Sequence, residues 1–192
     1  TDEAAVASAF SGLDAAEMSI DILVNNAGIQ LRKPIVETGS SEWQRVIDTN
    51  LNGSFYMAQT FAQRMIALGN GGAIVNISTL GARLLAAGTA AYASSKVAIN
   101  ALTTILSGEL GQHGIRVNGV CPGLIDTSRL DDVGRGAAWN GLVKSFIPLG
   151  RAGTGEDIAN MVAFLCSQQG SWISGQNIYV DGGYTNVPLM GA

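Results

Sequence analysis

Four short apolar runs, separated by longer stretches of helical periodicity, constrain the fold of this chain more than any other feature. The runs cover residues 20–24, 73–77, 115–121 and 177–180. Residues 20–24 form a short, nearly continuous apolar run, which is typical of a parallel strand that is covered on both faces. Strands that alternate with helices at this spacing form a parallel sheet with helices on both sides. The sequence therefore predicts a doubly wound α/β fold.

The stretches between these runs predict the helices. Apolar residues recur at helical spacing in residues 2–13, 40–68 and 92–110, and in the segment that begins at Gly155. Ser40 or Ser41 can cap the second of these helices. Residues 124–149 have no clean period, and we expect a mobile insertion beside the site there.

Length and composition narrow the range of functions. A chain of 192 residues suits one domain, and we expect residues 1–192 to form a single unit. With 47% hydrophobic and 14% charged residues, the chain has more apolar surface to bury than an average domain, which favours self-association. A formal net charge of -4 and the lack of basic runs argue against a nucleic-acid partner.

The contexts and spacing of the two cysteines favour a reducing compartment and argue against a bound metal. Cys121 and Cys166 lie in apolar contexts, at a spacing that matches no metal site. We expect buried free thiols in a reducing compartment, no bound metal and a cytoplasmic location. The sequence has no apolar run long enough to span a bilayer and no signal-peptide pattern, so no membrane association is expected.

Tyr92 and Lys96 give the first indication of chemistry. They stand four residues apart in Tyr92-Ala93-Ser94-Ser95-Lys96, which puts a phenol and an ammonium on one helix face. A fixed cation beside a tyrosine stabilises its phenolate, so Tyr92 could exchange a proton with an alcohol or a ketone. The alternative is a tyrosine packed in the core beside a solvated lysine.

Polar motifs follow three of the apolar runs. They are Asn25-Asn26-Ala27-Gly28, then Ser78-Thr79, then Pro122-Gly123 with Thr127, and Asn50 opens the separate motif Asn50-Leu51-Asn52-Gly53. In this order, and together with Tyr92 and Lys96, the motifs resemble the short-chain dehydrogenase/reductase family over essentially the whole chain. The resemblance implies a Rossmann-like doubly wound sheet. It also implies an NAD- or NADP-dependent oxidoreductase that interconverts a secondary alcohol and a ketone by hydride transfer.

The resemblance implies catalytic roles for four residues. Tyr92 is the general acid-base, and Lys96 supports it while holding the nicotinamide ribose. Asn50 kinks its helix and holds a water molecule that links the lysine to solvent. The family's carbonyl-polarising serine stands thirteen positions before the tyrosine, and here that position is Thr79. Ser78 should face the other way, because strand side chains alternate. The alternatives are an exposed Asn50 and a structural hydroxyl pair at the strand end.

The resemblance also implies where the nicotinamide cofactor binds. The implied contacts come from strand ends and from the tyrosine and lysine: Asn25, Ala27, Gly28, Tyr92, Lys96, Pro122, Gly123 and Thr127. Gly28 permits the close approach of a ligand, and Thr127 matches the threonine that binds the carboxamide. Pro122 and Gly123 could instead be a simple strand-terminating turn.

Residues 25–34 look like the corresponding stretch of gluconate 5-dehydrogenases, a branch of the family that acts on sugar acids. Arg32 and Lys33 in this stretch could receive an anionic group of the substrate, or they could be solvated surface side chains. We therefore expect a polyol, a sugar acid or a 3-oxoacyl group as the substrate. The family also implies a homo-oligomer, a tetramer or a dimer, built through the helices of residues 52–68 and 93–110.

The sequence departs from the family in one respect. The glycine-rich phosphate loop, Thr-Gly-x-x-x-Gly-x-Gly, has no counterpart, as if the chain were a family member cut just after its third strand. Since the pyrophosphate of the dinucleotide rests on that loop, we expect weak binding of NAD or NADP. We also expect an unpaired apolar edge at residues 20–24. The alternative function is a catalytically silent fragment that acts only by assembling with itself or with another chain.

Overall fold

The computed structural model describes residues 2–127 and 136–186, and these residues form a parallel sheet of four strands, as the apolar runs predict. The strands are β1 (Ile22–Asn25), β2 (Gly72–Ile77), β3 (Ile115–Pro122) and β4 (Asn177–Val180). They pair in the order β1-β2-β3-β4, and every pairing is parallel. β1 lies at one edge of this sheet, where Ile22 and Val24 are 44% and 41% exposed.

Helices cover both faces of the sheet. Within the described ranges they are α1 (Glu3–Ala15), α2 (Ser40–Ile47), α3 (Gly53–Leu68), α4 (Ala90–Leu110), α5 (Ala137–Phe146) and α6 (Gly155–Cys166). Phe61 of α3 packs with Ile74 of β2 on one face. Leu165 of α6 packs with Val75 and Val120 on the other face. A parallel sheet covered on both faces confirms the doubly wound α/β class.

The second helix begins at Ser40, so its N-cap is neither of the two predicted serines. Its N-cap is Gly39 and not Ser40 or Ser41. The Glu42 carboxylate, in the first turn of α2, accepts a hydrogen bond from the Gly39 N–H at 2.9 Å. A first-turn carboxylate can satisfy an unpaired amide of the helix start, so neither serine hydroxyl is required there.

Two further elements differ from the predicted ones. Residues 40–68 do not form one regular helix, because Asp48–Asn52 adopts a π-helical turn between α2 and α3. The predicted insertion at residues 124–149 is not irregular throughout. It contains α5, an amphipathic helix that buries Val143. Residues 128–135 of that insertion lie outside the described residues.

Both cysteines are free thiols. Burial raises the pKa of Cys121, which is fully buried, and of Cys166, which is partly buried, so both favour the neutral form. The described residues contain no group of three histidine, cysteine or acidic side chains that could hold a metal ion. In the same residues, no helix combines the length and the apolar character that crossing a membrane requires.

A chain of buried side-chain hydrogen bonds joins the sheet to α3 and α4. Asn25 Nδ2, at the end of β1, donates to Asn76 Oδ1 on β2 at 2.9 Å and to the Ser54 carbonyl of α3 at 3.3 Å. Asn76 Nδ2 donates in turn to Thr103 Oγ1 of α4 at 2.9 Å. All these side chains are buried, so the bonds hold the two helices at defined positions against the ends of the strands.

We predict that Asn76→Ala lowers the free energy of unfolding by about 2 to 3 kcal/mol, because Asn25 and Thr103 each lose a buried partner. Asn70→Ala is the matched control, since Asn70 is exposed. Urea unfolding followed by circular dichroism measures both changes. Equal losses for the two variants would contradict the structural role of Asn76.

Candidate active site

The polar motifs of the sequence meet where the parallel strands end. β1 leads into residues 26–29, β2 leads into Ser78 and Thr79, and β3 leads into Gly123. Tyr92 lies in the first turn of α4, after the loop that leaves β2. Open parallel sheets bind their ligands at this carboxyl edge. The tertiary structure thus gathers motifs that are far apart in the sequence at one edge.

Asn50 lies in the π-helical turn and is fully buried. Its Oδ1 accepts a hydrogen bond from the Ile29 N–H at 2.8 Å, and its Nδ2 donates to the Ile29 carbonyl at 3.0 Å. The same Nδ2 donates to Ser95 Oγ of α4 at 3.0 Å. Asn50 therefore connects the loop after β1 to the helix that carries Tyr92 and Lys96, and it is not the exposed polar residue of the alternative interpretation.

Lys96 is a buried lysine, only 5% exposed. Its Nζ donates to the Ile77 carbonyl at the end of β2 at 2.7 Å. A Cβ atom on residue 28 would lie 3.5 Å from this Nζ and 3.3 Å from Asn50 Oδ1. Gly28, Asn50 and Lys96 are therefore in close proximity, and the missing side chain of Gly28 leaves space beside the ammonium.

Tyr92 is half-buried and lies one helical turn before Lys96. The Tyr92 carbonyl accepts a hydrogen bond from Ser95 Oγ at 2.7 Å. Since α4 is regular from Ala90 onward, the side chains of Tyr92 and Lys96 leave the same face of the helix. The alternative of a solvated lysine is excluded by the burial of Lys96.

The hydroxyls of Ser78 and Thr79 have different partners. Ser78 is buried, and its Oγ donates to the Lys96 carbonyl at 3.3 Å. Thr79 is half-buried, and its Oγ1 accepts from the Gly81 N–H at 3.1 Å in the loop that leads to Tyr92. Thr79 Oγ1 retains its own proton for donation, so Thr79 stays the predicted substrate-binding hydroxyl.

The end of β3 packs against a turn that follows β4. A Cβ atom on residue 123 would lie 2.6 Å from Asp181 Cα, so only glycine fits there. The Asp181 carboxylate accepts hydrogen bonds from the Thr185 N–H at 2.8 Å, from Thr185 Oγ1 at 2.7 Å and from the Gly183 N–H at 2.9 Å. Asp181 therefore supports the wall behind Pro122 and Gly123. Thr127, four residues after Gly123, is exposed.

The residues of the motif Asn25-Asn26-Ala27-Gly28 differ in their exposure. Ala27 is exposed and Gly28 is partly exposed at the strand end, where a ligand can reach them. Asn25 is buried, and its amide is engaged by Asn76 and Ser54 inside the fold. The side chain of Asn25 therefore has a structural role in the described residues, which argues against its predicted contact with the cofactor.

Lys33 forms an ion pair with Glu42, so its charge is already engaged and is not free to receive an anionic group of the substrate. Its Nζ lies 2.8 Å from Glu42 Oε2, and the ammonium holds the pKa of Glu42 below its ordinary value. The Lys33 N–H also donates to the Gly88 carbonyl at 2.8 Å, which joins the loop after β1 to the loop before α4. Lys33 therefore stabilises the arrangement of these two loops.

Ser95 is the member of this site that the sequence reasoning missed. It is fully buried, between Asn50 and the Tyr92 carbonyl, whereas its neighbour Ser94 is exposed. The helical period could have distinguished the two serines. Ser95 stands three residues after Tyr92, on the same face, whereas Ser94 is turned away from that face.

A doubly wound sheet with a buried lysine one helical turn from a tyrosine at its carboxyl edge defines a class of protein. The missing side chain of Gly28 and the buried Lys96 lie together at this edge, where doubly wound sheets bind dinucleotides. The class is that of dinucleotide-dependent oxidoreductases with such a sheet.

Comparison with known proteins identifies the family. Residues 1–185 match the family model described as enoyl-(acyl carrier protein) reductase. The chain is 35% identical over 185 residues to gluconate 5-dehydrogenase of Gluconobacter oxydans, a match that covers 96% of this chain and 72% of the relative. It is 42% identical over 169 residues to the 3-oxoacyl-[acyl-carrier-protein] reductase FabG of Chlamydia pneumoniae, covering 86% of this chain and 66% of that protein.

A solved structure agrees with these matches. Gluconate 5-dehydrogenase from Burkholderia cenocepacia, in complex with NADP and tartrate, superimposes with a TM-score of 0.91 at 34% identity, covering 97% of this chain and 73% of that one. This chain belongs to the short-chain dehydrogenase/reductase family of oxidoreductases. Members of the family act on CH–OH groups with NAD or NADP.

The turn at Asp181 generates a prediction about pH. Burial by itself raises the pKa of Asp181, but the hydrogen bonds from Thr185 and Gly183 outweigh it and hold the pKa below its ordinary value. A carboxyl whose pKa is lower in the folded state stabilises the fold above its unfolded pKa. That stabilisation is lost as the pH falls through the folded pKa.

We therefore expect Asp181→Asn to lower the free energy of unfolding by about 1.5 to 3 kcal/mol at pH 7, the range for hydrogen bonds to a charged group. The deficit should shrink as the pH falls below ~4, where the wild-type carboxyl takes up its proton. Asp21→Asn, at an exposed position, is the control. A deficit that stays constant between pH 7 and pH 3 would refute the ionic part of this role.

Proposed function

We propose that this protein is an NAD- or NADP-dependent oxidoreductase that interconverts a secondary alcohol and a ketone. The observation that carries the proposal is the buried Lys96 ammonium, which lies beside Gly28 and Asn50 and one helical turn from Tyr92. The two side chains leave the same face of α4, and a tyrosine hydroxyl placed there can exchange a proton with an alcohol or a ketone.

Each side chain has a defined task in this proposal. Tyr92 Oη takes the hydroxyl proton when the alcohol is oxidised and returns it to the oxygen when the ketone is reduced. Thr79 Oγ1 donates a hydrogen bond to the same oxygen and stabilises the charge that develops there. Lys96 keeps the site positive, and Asn50 holds the loop of residues 26–29 against α4. The dinucleotide, when bound, supplies or accepts the hydride.

The residues present fit the nicotinamide half of that cofactor. Lys96 and Tyr92 would hold the ribose, for which the space above Gly28 provides access. Pro122 and Gly123 would line the nicotinamide ring, and Thr127 would bind its carboxamide. This fit concerns one half of the dinucleotide, because the sequence has no glycine-rich loop for the pyrophosphate.

The substrate class in this proposal is a polyol, a sugar acid or a 3-oxoacyl group. Its support is that the relatives include a gluconate 5-dehydrogenase and a 3-oxoacyl reductase. Arg32 is exposed at the loop after β1 and could meet an anionic substrate group, whereas the charge of Lys33 is engaged by Glu42. A substrate carboxylate is therefore assigned to Arg32 in preference to Lys33.

A second candidate function is assembly without catalysis. Ile22 and Val24 of the edge strand are exposed, and with α6 they line an apolar groove of about 490 Å³. An exposed apolar strand edge invites pairing with another chain. This candidate predicts no turnover with any alcohol or ketone, so the activity measurements below separate it from the first.

We also propose self-association, as a dimer or a tetramer, in the cytoplasm. The support for association is a set of exposed apolar side chains on α3 and α4, namely Phe55, Ile66, Val97 and Ile105. These exceed what one core-facing stripe uses, and a second copy of the chain would cover them. The support for the compartment is the pair of free cysteines.

The central test replaces Tyr92 by phenylalanine in the full-length protein as its gene encodes it. Turnover of gluconate, glycerol or a 3-oxoacyl ester with NAD or NADP should fall at least ~10²-fold, because the acid-base hydroxyl is lost. Cofactor affinity should change little, because Lys96 remains to hold the ribose. Tyr56→Phe, at a half-buried tyrosine of α3, is the control. Near-normal turnover of Tyr92→Phe would remove Tyr92 from the chemistry.

Substitutions at the end of β2 test which hydroxyl meets the substrate. Thr79→Ser should preserve or improve turnover, because serine donates the same hydrogen bond without the methyl group. Thr79→Ala should lower turnover ~10²-fold, the cost of losing one donor to the developing charge. Ser78→Ala should matter less, since Ser78 donates to the Lys96 carbonyl. If Ser78→Ala is the more damaging change, the assignment is wrong by one residue.

A further inference from the structure

Ser95 completes the hydrogen bonding of Asn50. The Asn50 side chain offers one acceptor oxygen and two N–H donors, and it is fully buried. Ile29 provides a donor to Oδ1 and an acceptor for one N–H, and these two bonds set which way the amide faces. The second N–H is directed at Ser95 Oγ, at 3.0 Å. Removing that oxygen would leave a buried donor without this acceptor.

On its other side, Ser95 is bonded to the residue that carries the proposed chemistry. Its hydroxyl donates to the Tyr92 carbonyl at 2.7 Å. The Ser95 hydroxyl thus accepts a hydrogen bond from Asn50, which holds the loop after β1, and donates one to the Tyr92 carbonyl in the first turn of α4. The path from Ile29 through Asn50 and Ser95 to Tyr92 consists of hydrogen bonds of 2.7 to 3.0 Å.

We propose that Ser95 is a positioning residue, which sets the distance between the loop of residues 26–29 and the first turn of α4 and thereby holds Tyr92 in its working position. This proposal rests on the proposed function. Its physical basis is that a displacement of ~1 Å of a reacting group costs ~10²-fold in rate. The loss of the Ser95 hydroxyl removes the bonds to both Asn50 and Tyr92 and permits such a displacement.

The expected effect is on the rate and not on binding. Ser95→Ala should lower kcat about tenfold or more, while KM for the substrate and the Kd for NADH change less than ~3-fold. Ser94→Ala is the matched control. It is the same substitution one residue earlier in the same helix, at an exposed position, and it should leave kcat unchanged. Ser95→Cys keeps the shape of the side chain at a somewhat larger size, with a weaker donor and acceptor, and should be intermediate.

A double-mutant cycle tests whether Ser95 acts through Asn50. If Ser95 acts through Asn50, then Ser95→Ala should have little further effect in an Asn50→Ala background, so the two losses should not add. Independent effects that add would overturn the proposal. If Ser95→Ala does not fold, the same cycle is run with Ser95→Cys.

A second readout does not depend on turnover. The Ile29 amide donates to Asn50 Oδ1, so its hydrogen exchange in the 192-residue chain should speed up about tenfold or more in Ser95→Ala but not in Ser94→Ala. Unchanged exchange would show that Ser95 does not hold Asn50. If the unsubstituted protein turns over no alcohol or ketone with NAD or NADP, the proposed function fails. If Tyr92→Phe is inactive while Ser95→Ala has normal kcat, only the positioning role fails.

Discussion

The buried side-chain amide of Asn50 joins the segments that make up the site. It bonds both backbone groups of Ile29 in the loop after β1 and the hydroxyl of Ser95 in α4. The π-helical turn of Asp48–Asn52 adds a residue to the local helical turn, which changes the direction of the side chains before and after it. Asn50 can therefore face the site while α3 still directs Phe61 into the core.

The burial of Lys96 has a chemical consequence. A buried ammonium needs a hydrogen-bonding partner, and the Ile77 carbonyl provides one without neutralising its charge. The ion pairs of Lys33 with Glu42 and of Arg151 with Asp157 organise a loop and a helix start. Lys96 instead lies buried at the carboxyl edge of the sheet, on the helix that carries Tyr92.

The site also depends on polar groups that do not line it. Asn25, Asn76 and Thr103 bond in series beneath the strand ends and hold α4 against the sheet. The Asp181 turn supports the strand end at Gly123 from behind. Because these groups are buried, each lost partner costs more than an exposed hydrogen bond would. The positions of Tyr92 and Lys96 are therefore consequences of packing at some distance from them.

The sequence by itself determined the features that depend on local periodicity: the strands, the α/β class, and the shared face of Tyr92 and Lys96. It could not distinguish Asn25, whose amide is used inside the sheet, from Asn50, whose amide holds the site together. That difference depends on partners 51 and 45 residues away, Asn76 and Ser95, and spacing along a chain does not encode such contacts. Only the tertiary structure decided it, because the cost of burying an amide is met by whichever groups the folded chain places beside it.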